Sequence, residues 1–475
     1  MARLTRRDFG LTALAALTIA GAPAWSRAKA DWHLGFTTAP AAIDGELQWI
    51  TGKLPADLLG TFYRIGPAQF ERGGERLGHW FDGDGMIQRF TFDGRGVRHR
   101  GRFVDTEKRR AEAAAEKFLY AGYGFAPKNL ASIRRVDEIN AANTSVLPLG
   151  DEVWALWEGG SPYRIDAREL ETRGRKAFDG QFDGAPFSAH PKREISGEIW
   201  NFGLLGRKCV IWRLDSSGGV RNSALVTLPE ASLMHDFAIT SRHVVLLAPP
   251  MIASGARANT LVDHYQWHAE KPLIVYVLDK ESLAIVRTYE LPGRLLFHIG
   301  NAWEDDAGVI RVDGFFDTDA TFAVKTARDL VLGSAYSVPT AHLTMLTLSP
   351  SGRATIDFLP RPGEFPRIDP RRTGSRHRYT YGVINQGVSR WDWETGEIDS
   401  YSYGADTWAE EPVFVSRTGA TQETDGWILA TVLNYGSART DLCVFDARRI
   451  SDGPVARYSC PYALPLGFHG AFVAS

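Results

Sequence analysis

One unit recurs along this chain and limits what it can become: a short run rich in β-branched and aromatic residues, a turn opened by a small polar side chain, then a polar return run. It appears at FTFDGRGVRHRGRF (Asp93), YRIDARELETRG (Asp166), IWRLDSSGGVRN (Asp215), VYVLDKESLAIVRTYEL (Asp279), MLTLSPSGRATIDFL (Ser349), SRWDWETGEIDSYSY (Glu394) and CVFDARRISDGPVARYS (Asp446). A lone hairpin is marginal in water, so such units must share larger sheets. Seven occurrences roughly 40 to 75 residues apart have the period of β-propeller blades, each a four-stranded antiparallel sheet. The expectation is an all-β chain forming one propeller domain over residues 31–475, with inner strands from distant parts of the sequence meeting on a central axis. A tandem of β-sandwiches is the alternative arrangement. Helical periodicity is scarce; the best candidate runs from Glu107 to Tyr120, where KRRAEAAAEKFLY offers strong helix formers but a weak apolar stripe.

Residues 1–30 read as an address. Arg6-Arg7 precede the short apolar run Gly10 to Ala20, and Ala28-Lys29-Ala30 supplies a small-x-small end, the layout of a secretory signal of twin-arginine type. The run is too short to span a bilayer comfortably. The expected location is the periplasm, reached as a folded protein, so a metal could be loaded before export.

Composition removes several classes of function. At 475 residues, 23% charged and 44% hydrophobic, the chain can bury a large core, which excludes disorder, collagen and a coiled coil. The 54 basic and 56 acidic side chains give a net charge of −2, so no cationic excess points to nucleic acid as a partner. Cys209, Cys443 and Cys460 are odd in number and far apart, unlike a disulfide scaffold or a thiolate zinc site. Any metal needs other ligands.

Four of the twelve histidines share a setting of small or apolar neighbours: Ser188-Ala189-His190-Pro191, Leu233-Met234-His235-Asp236, Leu296-Phe297-His298-Ile299 and Gly467-Phe468-His469-Gly470. There a charged imidazolium is costly and a neutral, metal-bound or hydrogen-bonded ring is favoured. Their gaps of 45, 63 and 171 residues correspond to about one, one and three blades, so a propeller could gather all four. Four imidazoles without thiolate or carboxylate suit iron, copper or zinc better than calcium or magnesium. His264 and His268 would share a face only on a helix, and Asp82-Gly83-Asp84-Gly85 lacks the later ligands of a calcium loop.

Together with Gly60-Thr61-Phe62-Tyr63-Arg64-Ile65-Gly66-Pro67 and His79-Trp80-Phe81-Asp82-Gly83-Asp84-Gly85-Met86, these four histidine motifs resemble the carotenoid cleavage oxygenases through most of the chain beyond residue 30. The resemblance implies a seven-bladed propeller capped on one face by loops, with one Fe(II) held by His190, His235, His298 and His469 and O₂ as co-substrate. It also implies three glutamates behind the histidines, at Glu158, Glu364 and Glu423, Glu364 lying in a Pro-flanked loop. A carboxylate there fixes the tautomer of the ring and offsets metal charge. Thr144, fourteen positions before Glu158, matches a threonine beside the metal in similar enzymes.

The chemistry so implied is scission of a conjugated carbon–carbon double bond by O₂ into two carbonyl products. Stilbene-cleaving members typically carry a lysine just before the first glutamate; here that position is Trp157, which cannot serve as a cationic anchor but can pack against a polyene. The expected substrate is therefore a carotenoid or apocarotenoid, with a stilbene or phenylpropenoid as the alternative and a non-catalytic, metal-bearing binding propeller as a third reading. Such substrates partition into membranes, and the aromatic stretch Phe118 to Phe125 is a candidate peripheral contact, though burial fits it as well. The sequence leaves the oligomeric state open.

Overall fold

The turns that punctuate the sequence close on their own side chains. In the computed structural model, which describes residues 32–475 apart from 179, 256–257, 335–339 and 385–386, Asp93 accepts the amides of Arg95 and Gly96, Asp166 those of Arg168 and Glu169, and Asp215 those of Ser217 and Gly219. Asp279, Ser349 and Asp446 accept from Ser282, Ser351 and Arg448. A short polar side chain bonded to the backbone two or three residues on is what makes these residues turn formers. At the sixth turn the opener is Asp392, which takes the amides of Glu394 and Thr395, two residues earlier than the sequence reading placed it at Glu394. The export signal read over residues 1–30 lies outside the described residues.

Each turn joins two antiparallel strands, as between Lys208–Leu214 and Val220–Thr227 or between Leu273–Asp279 and Ile285–Leu291. Six sheets have four or more strands, and the largest, of seven, is two units that share the strand Ala354–Arg367. One part of that strand pairs with His342–Leu348 and another with Tyr379–Ile384. The described residues thus form seven antiparallel units, the all-β propeller expected. Glu364 lies in the shared strand, not in a loop, since the prolines around it fall where the strand changes partner.

Neighbouring units pack face to face. Val245, Val275 and Val277 of one sheet meet Leu296, Ile310, Val312 and Leu346 of the next in a common buried cluster, which explains why these strands read as nearly continuous apolar runs. Both ends of the described chain close the ring. Gln48–Gly52 pairs with Ala456–Ser459, and Gly470–Ala474 pairs with Gly60–Gln69.

The helix predicted to Tyr120 ends at Ala115, with Glu116 left-handed at its C-cap. Its inward side is ionic, Lys108 and Glu112 being buried in a cluster with Asp84 and Arg72, which accounts for the weak apolar stripe. Glu112 also accepts the amides of Leu119 and Tyr120, satisfying backbone that helix would otherwise have paired. Phe118 is buried against Phe125, so this stretch packs inward. Among the described residues no helix is long and apolar enough to cross a membrane.

The Asp82–Gly85 motif serves packing. Asp84 is held by Lys108 and Arg72, Asp82 accepts from Tyr123 and Gly124, and a Cβ on Gly85 would stand 2.0 Å from Ala142 O. The Gly85 amide bonds Ala141 O at 2.8 Å, tying this strand to the segment that leads into Asn143 and Thr144. Gly85→Ala should lower stability by about 1–3 kcal/mol through overpacking, whereas Gly45→Ala, with no atom within 4 Å of the new methyl, should stay within about 0.5 kcal/mol of wild type. Chemical denaturation midpoints of the two variants check this.

Candidate metal centre

The four histidines arrive from four different units. His190 precedes the strand Lys192–Arg193, His235 precedes Phe237–Ile239, His298 lies in Leu295–Glu304, and His469 precedes Gly470–Ala474. Their ligand atoms all lie within 4.8 Å of one another. His190 Nε2 is 2.9 Å from His235 Nε2, which is 3.3 Å from His298 Nε2.

Behind the rings stand carboxylates. Glu364 Oε2 is 2.5 Å from His298 Nδ1, and Glu411 Oε1 is 2.8 Å from His469 Nδ1. Glu158 Oε1 is 3.3 Å from His235 Nδ1 and 3.8 Å from His190 Nε2, yet it is buried without a hydrogen-bond partner. Its side chain is 31% accessible, but it opens onto the cavity described below. Among the described residues His190 is the ring with no carboxylate of its own. Glu423, expected in this set, instead accepts the amides of Arg378 and Tyr379. It sits in the turn after the strand Val413–Ser416, while Glu411 stands just before that strand, so the two glutamates occupy opposite ends of one strand.

Burial sets the protonation of the site. It lowers the pKa of His190 and His235 well below the ordinary imidazole range, with the neighbouring rings adding to it. At His298 burial acts the same way but the Glu364 carboxylate outweighs it, and the pKa is raised. Burial, reinforced by Asp236, pushes Glu158 well up. Glu411 is buried too, but Arg367 and His469 hold it down at about 2.

A second layer holds the ligand-bearing segments together. Asp236, directly after His235, accepts Lys192 Nζ at 2.7 Å and the Ile299 amide at 2.9 Å, so one buried carboxylate ties together the segments that carry His190, His235 and His298. Glu411 Oε2 accepts the Gly470 amide, and its neighbour Glu410 accepts from Gly467 and Arg64. Phe365, in left-handed backbone at φ 58°, stacks on the His298 ring at 5.2 Å.

The donor set fits a cation. Carboxylates at Nδ1 of His298 and His469 favour a ring proton there, which in the neutral rings turns both Nε2 lone pairs inward, the arrangement that a bound cation uses. Nitrogens about 2 Å from a shared ion and at roughly a right angle sit about 3 Å apart, close to the separations found. Neutral imidazole donors without thiolate favour a first-row transition metal.

His235, His298 and His469 form part of the wall of a cavity of about 410 Å³. The rest of the wall is largely apolar and includes Phe81, Trp157, Leu204, Phe297, Trp408 and Phe468. Thr144 is on this wall with its hydroxyl donating to Asn143 Oδ1 at 3.0 Å. His264 and His268 flank the strand Tyr265–Trp267 and take no part in the cluster.

Comparison with known proteins agrees with this geometry. Residues 36–474 match the family described as retinal pigment epithelial membrane protein, which includes the carotenoid cleavage oxygenases. The chain belongs to that family. It is 30% identical to the apocarotenoid-15,15'-oxygenase of Synechocystis over 93% of this chain and 96% of that protein. It is 28% identical to lignostilbene-alpha,beta-dioxygenase isozyme III of Sphingomonas paucimobilis, covering 91% and 94%. The crystal structure of the cobalt-substituted Synechocystis enzyme superposes with a TM-score of 0.83 at 27% identity, covering 94% of this chain and 98% of that one.

Sequence reasoning missed Glu411. A signal was present: Glu410-Glu411 sits between Trp408-Ala409 and Pro412-Val413-Phe414-Val415, and two acids inside an apolar stretch have to be partnered when they are buried. Removing the carboxylate charge by Glu411→Gln should weaken metal binding about 10- to 100-fold, while Glu423→Gln should leave it unchanged. Metal titration of the two apo-variants, read by calorimetry, tests the assignment.

Proposed function

We propose that this chain cleaves a conjugated double bond of a carotenoid or apocarotenoid with O₂, using one Fe(II) held by His190, His235, His298 and His469. The observation that carries the reading is the placement of three of these rings on the wall of a largely apolar cavity. The overall change replaces one C=C bond by two C=O bonds, and both oxygen atoms of O₂ balance it. A ferrous ion at the four imidazoles would supply the activation of dioxygen.

The chain's own residues bind, orient and exclude water. Aromatic and aliphatic walls take a rigid polyene out of water at roughly 25 cal/mol per Å² buried and fix which bond lies beside the histidines. Glu364 and Glu411 hold protons at Nδ1 of His298 and His469, keeping Nε2 free for the ion. Thr144 spends its hydroxyl on Asn143, which is itself locked by Phe81 O and Gly83 O, and so offers its methyl to the cavity. Trp157 provides a flat apolar face where a phenol anchor would need a cation, which favours a polyene over a hydroxystilbene.

Val136, Leu205 and Leu261, which are 36%, 62% and 40% exposed, also belong to the cavity wall. An apolar mouth of this kind suits uptake from a membrane surface. We place the protein in the periplasm on the strength of its first thirty residues.

Anaerobically iron-loaded protein, offered apocarotenals and 4-hydroxystilbenes in parallel with O₂, should yield paired aldehydes from the former by mass spectrometry. Aldehydes from the stilbenes alone would favour the stilbene reading, and none from either panel would favour a binding propeller. His298→Ala should abolish bound iron and turnover together. Trp157→Ala should raise KM for an apocarotenal several-fold while iron content stays at the wild-type level.

A further inference from the structure

Three carboxylates reach the cavity wall: Glu158, Glu364 and Asp317. The first two stand behind histidines, whereas Asp317 serves none. It is the last residue of the strand Ile310–Asp317 and is 8% exposed. Thr340 Oγ1 donates to its Oδ1 at 2.7 Å. Among the described residues no lysine, arginine or histidine pairs with it; the charges that act on it are the negative ones of Glu364 and Asp319.

A buried carboxyl facing an apolar cavity is costly unless it gains a hydrogen bond there. An apolar side chain at this position would extend the wall at no such cost. Asp317 pairs in register with Leu295, itself a wall residue, three positions before His298 on the adjacent strand. The register shifts between Leu296 and Ile299, so at the rise of a β-strand Asp317 lies at most about 10 Å along the strand from the His298 backbone. Burial, with the field of Glu364, pushes its pKa up to about 7 against the bond from Thr340. Near neutral pH the group can therefore accept a hydrogen bond or donate one.

We infer that Asp317, oriented by Thr340, receives a hydroxyl at the end of the substrate remote from the bond that is cleaved. The inference rests on the apocarotenoid reading and deepens it: the preferred substrate is a polyene with one hydroxylated terminus. The span from Asp317 to the histidines then selects the bond. The hydroxyl hydrogen-bonds to the carboxyl, and no proton or electron leaves the pair.

The test is equilibrium binding of a ring-hydroxylated apocarotenal and its ring-deoxy counterpart to the metal-loaded protein, read without O₂ by quenching of tryptophan fluorescence. The wild type should bind the hydroxylated ligand roughly tenfold more tightly, the worth of one buried hydrogen bond. Asp317→Leu should bring that ratio to about one with bound metal unchanged, and Asp317→Asn, which still donates and accepts, should keep most of it. If Asp317→Leu does not fold, Thr340→Val gives the same reading by freeing the carboxyl, and its ratio should fall. Equal binding of both ligands by the wild type, or a ratio that survives in Asp317→Leu or Thr340→Val, overturns the inference while the proposed function stands. Failure of the wild type to bind either ligand overturns both.

Discussion

Four imidazoles gathered to within 4.8 Å in a dry interior need a partner for the nitrogens they turn toward one another. That constraint organises the molecule. A cation resolves it, and a closed ring of sheets is a scaffold able to bring four such rings to one point from positions 190 to 469 of the chain. The first strands of the units carry the ligands or begin just after them, so the core packing between units fixes the centre indirectly. The aim of each ring is thereby coupled to the stability of the whole fold.

Rigid strands alone would leave the rings free to rotate. The carboxylates at Nδ1 of His298 and His469 remove that freedom, and Asp236 joins three ligand segments through Lys192 and the Ile299 amide. These groups also balance charge. Glu411 faces Arg367 as well as His469, so its negative charge is supported from two sides. Among the described residues Glu158 has no lysine or arginine partner, and the negative charge of Asp236 adds to the effect of its burial. The supports are unequal: among the described residues His190 has no carboxylate at its Nδ1 side, and its segment is tied in through the Lys192 side chain.

Much of this was legible in the sequence because it depends on local chemistry. The Asp and Ser turns are decided within four residues, and all seven hairpins were visible; the slip from Asp392 to Glu394 arose because either acid could open that turn. The four histidines stood out by their apolar settings. Glu411 did not, because its role follows from which end of the strand Val413–Ser416 faces the axis, a property of topology that spacing does not encode. The helix overshot for a related reason: Ala-rich sequence favours continuing to Tyr120, but Glu112 binds the amides of Leu119 and Tyr120 from the side. Asp317 and Thr340 were silent in the sequence, since their meeting depends on how the strand Ile310–Asp317 lies against the cavity.

The strand Gly470–Ala474 begins immediately after His469 and zips onto Gly60–Gln69. One of the two pairings that close the circle therefore also delivers the fourth nitrogen donor. While that strand is unpaired at most three of the imidazoles are in place, so a fully four-coordinated ion would report that the circle has closed.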